Sequence, residues 1–277
     1  MIEWAAPPRR PLLRQPVALA ALGWLALAGL GAGLASVLAP AGPLAADTAH
    51  ALLGPGPGRL LGTDLLGRDV LARILWGGRW TLGMGLTGLA VAVGLGLPVG
   101  LVAGTFGGWV DALVMRVVDA LLAFPGLLLA MAVVALLGPG MGAVAVAVGV
   151  AAAPAYARVV RSAALEVRVQ PYVDAARAVG CTPWRIAVRH VLPNAAAPLI
   201  AFAATQLGWV VLNGAALTFL GLGAPPGAPE WGAMLAEGRG YLRDGAWAST
   251  FPGLALTLTV LAANLFGDGL QEALRPR

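Results

Sequence analysis

Lysine is absent from this chain of 277 residues, and all 18 of its basic residues are arginine. A P-loop needs a Lys that reaches the nucleotide phosphates, so the chain cannot house that kind of ATPase site. The same absence excludes Schiff-base chemistry on Lys. One cysteine, Cys181, allows no intrachain disulfide and no thiolate metal cluster. Two histidines, His50 and His190, are too few for a His-rich metal site. Charge is scarce as well: 11% of residues are charged, against roughly 25% in an average soluble domain. So few charges cannot cover a soluble globule of this size. A hydrophobic content of 59% excludes disorder, which needs low hydrophobicity.

What is present points to an integral membrane protein. Mean hydropathy is +0.82, and 39 glycines with 21 prolines suit helices packed through small residues in lipid. The isoelectric point near 10.6 would suit nucleic acid. However, the arginines are dispersed and no basic run exceeds two residues. They read as membrane-flanking charges, and no nucleic-acid partner is expected.

Spanning a bilayer as a helix takes roughly 20 mostly apolar residues. Six stretches qualify: Val17–Leu38, Thr81–Ala103, Ala112–Leu137, Met141–Ala157, Leu199–Leu222 and Phe251–Leu270. The expected fold is therefore all-α, with six transmembrane helices. The first stretch follows Arg9, Arg10 and Arg14 and precedes Ala39-Pro40-Ala41, which resembles a signal peptide. Its 22 residues exceed a signal h-region of about 7–15, which favours an uncleaved span. Gly138-Pro139-Gly140 leaves only a short loop between the third and fourth stretches. An even number of spans puts both termini on one side. That side would carry twelve arginines (9, 10, 14, 116, 158, 161, 168, 177, 185, 189, 275 and 277) and the other six. The positive-inside rule then makes both termini and the Arg158–Arg189 segment cytoplasmic. The chain divides into a first span with its outer loop (1–80), a five-helix core (81–270) holding a loop at 165–194, and a short tail (271–277).

Two loops carry information. In the outer loop, Val70, Leu71, Ile74 and Leu75 fall on one helical stripe with Asp69 and Arg73 elsewhere on the wheel. Asp69 is placed to cap that helix, which reads as an interfacial amphipathic helix leading into the second span. In the inner loop, Gln170–Gly180 predicts a short helix, with Pro171 in its first turn and Gly180 at its stop. Thr182 and Pro183 start a second helix, which Leu192-Pro193-Asn194 should end or kink. Two short helices thus meet at a Gly hinge outside the membrane. Ala175, Ala176 and Ala178 make the first slim enough to dock in a groove, and alone it would be marginal in water.

These residues resemble a known family. Asp174-Ala175-Ala176, then Gly180, then Leu192-Pro193 is similar to the EAA loop of ATP-binding-cassette importer permeases. Gly62-Thr63-Asp64 with Gly67-Arg68-Asp69, Phe219–Gly223 with Pro229–Gly232, and Phe251–Ala255 with Asn264–Asp268 resemble its dipeptide, oligopeptide and nickel branch. Asp174 stands where the general motif has Glu, and His190 where it has an aliphatic residue. The resemblance implies a permease subunit of the bacterial inner membrane that is not itself an enzyme and holds no cofactor or metal. It implies a coupling helix at Tyr172–Gly180 docking on an ATPase, with Tyr172, Asp174, Ala175, Ala176, Gly180, Leu192 and Pro193 as site residues. The implied partners are a second homologous permease, two ATP-binding subunits that bind the ATP, an extracytoplasmic solute-binding protein and membrane lipid. The implied cargo is a peptide or a related small solute, nickel being the alternative.

A different class, an ion-driven secondary transporter, would need a membrane-embedded carboxylate or His relay and often shows repeat symmetry; neither is evident in the sequence. An intramembrane enzyme would need a nucleophile–base or metal constellation inside the spans, and the sequence offers none. The remaining polar residues have local readings. Arg116 and Asp119, spaced i, i+3, are expected to pair on one helix face. Gln206, Asn213 and Asn264 are expected to hydrogen-bond between helices. Trp76, Trp80, Trp209, Trp231 and Trp247 are expected to anchor at the interfaces.

Overall fold

A computed structural model describes residues 11–274. Arg9, Arg10, Arg275 and Arg277, four of the arginines assigned to the cytoplasmic side, lie outside the described residues. The chain forms α1 (Pro16–Gly33), α2 (Ala35–Leu38), α3 (Val70–Phe106), α4 (Gly108–Leu122), α5 (Gly126–Leu137), α6 (Met141–Arg168), α7 (Pro171–Ala178), α8 (Pro183–Ile186), α9 (Leu192–Phe219), α10 (Trp231–Gly238) and α11 (Trp247–Leu274). Five helical runs are each long and apolar enough to cross a membrane, and counting one bent pair as a single span gives six.

That pair is α4 and α5, where the sequence predicts one continuous span. The two helices meet at 93°. Pro125 is responsible: its ring disfavours the helical conformation at Phe124, so α4 ends and a new helix starts behind the proline. The overall hydrophobicity of the run conceals this break.

The second span also differs from expectation. The stripe after Asp69 is no separate interfacial helix. It is the first turn of α3, which continues unbroken for 37 residues. Asp69 caps it as expected, its Oδ1 accepting from Leu71 N at 2.8 Å and Ala72 N at 3.2 Å.

α3 packs along α6 through a row of small residues at every fourth position: Gly88, Ala92, Gly96, Gly100 and Gly104. A Cβ on Gly96 would lie 2.7 Å from the Ala153 carbonyl oxygen, and one on Gly100 2.2 Å from that of Ala157. Lipid tails are as apolar as leucine, so helices in a bilayer associate through close backbone approach and dispersion. Larger side chains on this row would push the helices apart. α9 and α11 meet in the same way, Gly208 against Val260 and Asn264, and Gly267 against Thr205.

The polar residues of the spans are settled by tertiary neighbours more than by local spacing. Asp119 pairs with Arg158 of α6, not with Arg116. Arg161 of α6 grips Asp111 through two hydrogen bonds. α6 lies against α4 and offers these arginines, which displace the expected i, i+3 pair. Gln206 does bond across helices, donating to the Ala152 carbonyl at 3.4 Å. Asn213 and Asn264 instead donate to Trp209 and Val260 one turn back in their own helices. Trp231 is buried with its Nε1 on the Ile74 carbonyl, and Trp247 donates to the Thr63 carbonyl. Both therefore pack within the protein and tie the outer segments to the spans.

Candidate functional site

The loop between α6 and α9 opens with α7, whose start and stop follow from local chemistry. Pro171 occupies its first position, where the missing N–H costs nothing. Gly180 has φ +83°. Its N–H bonds the Arg177 carbonyl at 2.9 Å, and the Cys181 N–H bonds the Ala176 carbonyl at 3.0 Å. This pair of bonds is the Schellman closure, and it needs a left-handed residue at Gly180. Thr182 then caps α8, accepting from Arg185 N at 3.3 Å.

Leu192 and Pro193 do not end the second helix. The chain widens into a π-turn at Ala187–Val191 and runs straight into α9. Pro193 has no N–H for the carbonyl four residues back, and its ring would collide there in α geometry. The wider turn relieves the clash, and Asn194 Nδ2 takes the His190 carbonyl at 2.7 Å. The loop is therefore continuous with the fifth span.

Both short helices bury their inner faces in one apolar core. Val173 and Ala176 of α7, Ile186 of α8 and Ala187 and Val191 of the π-turn pack with Leu101 of α3, Val160 and Ala164 of α6 and Leu199 of α9. The loop is thus attached to α3, α6 and α9, three of the spans. Leu192 is half-buried at the edge of this core, and Pro193 is exposed. The outward face of α7 carries Tyr172, Ala175 and Val179 on one stripe. Asp174 and Arg177 lie on its flank as an i, i+3 ion pair of 2.6 Å.

Of the residues expected to touch a partner, Tyr172, Asp174, Ala175 and Gly180 are exposed, whereas Ala176 is buried in the loop's own core. By residue type alone, Ala175 and Ala176 look alike. The i, i+3 pair Val173 and Ala176 is the signal in the sequence for the inner face.

On the opposite side the Gly62–Asp69 motif builds a cap. Gly67, at φ +72°, lets the backbone of Asp47 approach so closely that a Cβ would lie 1.8 Å from its carbonyl oxygen. Asp64 Oδ1 accepts from Leu66 N and Arg68 N. Its Oδ2 meets Arg68 Nε at 2.7 Å and Arg73 Nη1 at 2.6 Å. Glu237 of α10 closes the quartet, with Arg68 Nη2 at 2.9 Å and Arg73 Nη1 at 2.8 Å. Arg73 Nη2 donates to the Gly227 and Ala228 carbonyls. Beside it, Glu230 takes Thr81 Oγ1 at 2.9 Å and caps α10 through Ala233 N at 2.9 Å. The cap therefore welds the outer loop and the segment before α11 onto α3.

Five helices long and apolar enough to cross a membrane, a sharply bent apolar pair, a helical loop between α6 and α9 and no strand-built domain among the described residues point to a membrane permease fold. Residues 96–277 match the family described as the binding-protein-dependent transport system inner membrane component. The chain belongs to this family. Among its relatives is the glutathione transport system permease protein GsiD of Pectobacterium atrosepticum, 44% identical over 81% of this chain and 74% of that one. The dipeptide transport system permease protein DppC of Alkalihalophilus pseudofirmus is 40% identical over 83% of this chain and 76% of its own. Among solved structures, a chain of the MetNI methionine ABC transporter in an inward-facing conformation aligns with TM-score 0.61 and 25% identity. That alignment covers 74% of this chain and 97% of the other. The permease is an inner membrane component with several spanning helices, and its relatives are transport subunits rather than enzymes. The matched region holds the whole inner loop, while Asp64 and Arg73 of the cap precede it.

Proposed function

We propose that this permease imports peptides or a closely related small solute, working beside a second permease, two ATP-binding subunits and an extracytoplasmic solute-binding protein. The relatives named for glutathione, dipeptides and peptides support the solute class. The observation that carries the mechanism is the two-sided loop. One face of α7 is packed on the inner ends of the spans, and the other presents Tyr172, Ala175 and Val179 to the cytoplasm. A partner that moves α7 moves α3, α6 and α9 with it. Closure of the ATP-binding subunits would rock the helices as rigid bodies and open the path outward, and reopening after hydrolysis would return it inward. Tyr172, Asp174, Ala175 and Gly180 form the contact and hinge, Ala176 is the inner packing residue, and Leu192-Pro193 joins the loop to the fifth span. No Lys is available for a P-loop, which assigns ATP to the partner subunits.

An ion-driven carrier would need a free acid within the membrane. Asp111 and Asp119, the acids of α4, are each held by an arginine of α6, and Asp268 lies within the last two turns of α11 rather than at its middle, which favours the ATP-driven reading.

The test is hydrolysis by purified protein. The permease alone shows none above background, and adding the ATP-binding subunits with loaded binding protein gives solute-stimulated hydrolysis in proteoliposomes. Hydrolysis by the permease alone, or solute uptake driven by an ion gradient without ATP, overturns the reading.

We also propose that both termini are cytoplasmic, from the arginine distribution and the six segments. Reporter fusions after Gly58 and after Arg277 should report opposite sides of the membrane, and the same side for both would refute this topology.

A further inference from the structure

We propose that the slot between α1, α3 and α11 is a binding site for one phospholipid, which lays an acyl chain along Trp24 and sets its phosphate against Arg79. The proposal needs only that these helices span the membrane, and it does not depend on the transported solute. Small residues create the slot. At its N-terminal end α1 touches α11, where a Cβ on Gly269 would lie 2.5 Å from the Ala18 Cβ. At its C-terminal end it touches α3 instead, where a Cβ on Gly78 would lie 3.0 Å from the Ala32 Cβ. Between these two contacts Trp24 holds α1 to α11, its Nε1 donating to Thr259 Oγ1 at 3.1 Å, which fixes the indole as a wall. The result is a cavity of about 400 Å³ whose walls include Trp24 and Leu27 of α1, Ile74 and Leu75 of α3, and Phe251 and Leu258 of α11.

The walls select the occupant. From Phe251 to Leu258 the slot runs about 10 Å along α11, roughly two-thirds of one leaflet's hydrocarbon depth. The side chains around it are apolar and the Trp24 N–H is already bonded. Water would find no partners there, and a peptide would leave its amides unpaired. The mean section of the slot is roughly 40 Å², about half that of a helix about 10 Å across, so a helix of a second chain is too broad. An extended hydrocarbon chain fits both the length and the width, and it restores the dispersion contacts that an empty slot forfeits. Charge places the headgroup. Arg79 Nε and Nη2 donate to the carbonyls of Ala32, a wall residue, and Gly33 at 2.6 and 2.9 Å. Its guanidinium stacks 4.4 Å over the Trp76 ring. Two of its N–H groups are used on α1, and a guanidinium has more to give. The side chain is exposed and pairs with no acid among the described residues. A lipid phosphate at the C-terminal end of α1 would supply that missing charge-assisted partner.

The experiment titrates the detergent-solubilised complex with phosphatidylglycerol brominated on its acyl chains. The Trp24 signal is the fluorescence difference between each protein and its own Trp24→Phe counterpart. In wild type, quenching should saturate at one lipid per permease. Ala28→Leu and Ala28→Phe fill the slot from α1 to increasing extents, and should weaken binding about threefold and at least about tenfold. Arg79→Gln should weaken it roughly fivefold while Arg79→Lys keeps most of it. Brominated diacylglycerol, which lacks the phosphate, should bind wild type as weakly as phosphatidylglycerol binds Arg79→Gln. Quenching that rises without saturation, or that is equal in wild type and Ala28→Phe, means annular lipid only and overturns the site. No quenching in the complex means that the partner permease closes the slot, which overturns it too. Equal binding by wild type and Arg79→Gln removes the phosphate contact, and the phospholipid assignment with it.

Discussion

Replacing Arg73 by methionine should be the most damaging single change in the outer cap. Arg73 is 1% exposed and joins two carboxylates and two carbonyls from distant parts of the chain. Methionine keeps much of the stem volume but leaves Asp64 and Glu237 facing each other with only Arg68 between them. Removing one partner from a buried ion network costs about 3–5 kcal/mol, because the remaining charge stays desolvated. For a chain of this size, that lowers the unfolding midpoint by at least about 6 °C. It should also open the outer loop to protease near Gly54–Gly58, where the chain is held only by turns. Glu237→Gln should cost less. That side chain is 30% exposed, so water can solvate what is lost, and Asp64 still neutralises Arg73. A midpoint unchanged within about 2 °C for Arg73→Met would show that the quartet adds nothing net, as well-packed apolar replacements sometimes show.

What can be read from the sequence divides by range. Starts and stops set by neighbouring residues are legible. Asp69 caps α3, Pro171 and Gly180 bound α7, and Thr182 starts α8, because each acts within four residues of itself. The quartet is not legible: Arg73 reads as the polar side of an amphipathic stripe, and its second carboxylate lies 164 residues away. The expected pairing of Arg116 with Asp119 fails for the same reason, since helical spacing permits it but Arg158 of another helix takes the acid. Pro125 and Pro193 show a different limit. Both signal a disturbed helix, yet one produces a 93° break and the other a π-turn that lets the helix continue. The outcome depends on what the flanking segments pack against, which no local pattern contains. The direction of Ala176 is a third case. Alanine is small enough for either face, and its only mark in the sequence is the i, i+3 spacing from the larger Val173, which is buried with it.

That direction changes how the inner loop should be tested. Ala176→Glu would place a carboxylate in the loop's own core, so a loss of transport would report damaged packing rather than lost docking. Ala175→Glu and Gly180→Val separate the two. Ala175 is exposed between Tyr172 and Val179, and a glutamate there leaves the inner core intact. If that stripe docks into a tight groove, the added bulk costs about 1–3 kcal/mol and the buried charge more. A Cβ added at Gly180 would have no atom within 4 Å, so valine has open space there. Its penalty is purely conformational: φ +83° is a left-handed state that costs an L-residue about 1–2 kcal/mol, and a β-branched side chain suffers most. The chain can escape only by breaking the Schellman closure, which swings α8 relative to α7. Both variants are expected to insert at wild-type levels, keep binding-protein contact at the outer face and lose at least about 90% of transport, on the order of 1.4 kcal/mol or more of coupling. Gly180→Asn should be the mildest replacement there, because asparagine tolerates the left-handed region. Near-normal transport by both Ala175→Glu and Gly180→Val would mark the loop as a solvated connector, where substitutions usually cost under about 0.5 kcal/mol.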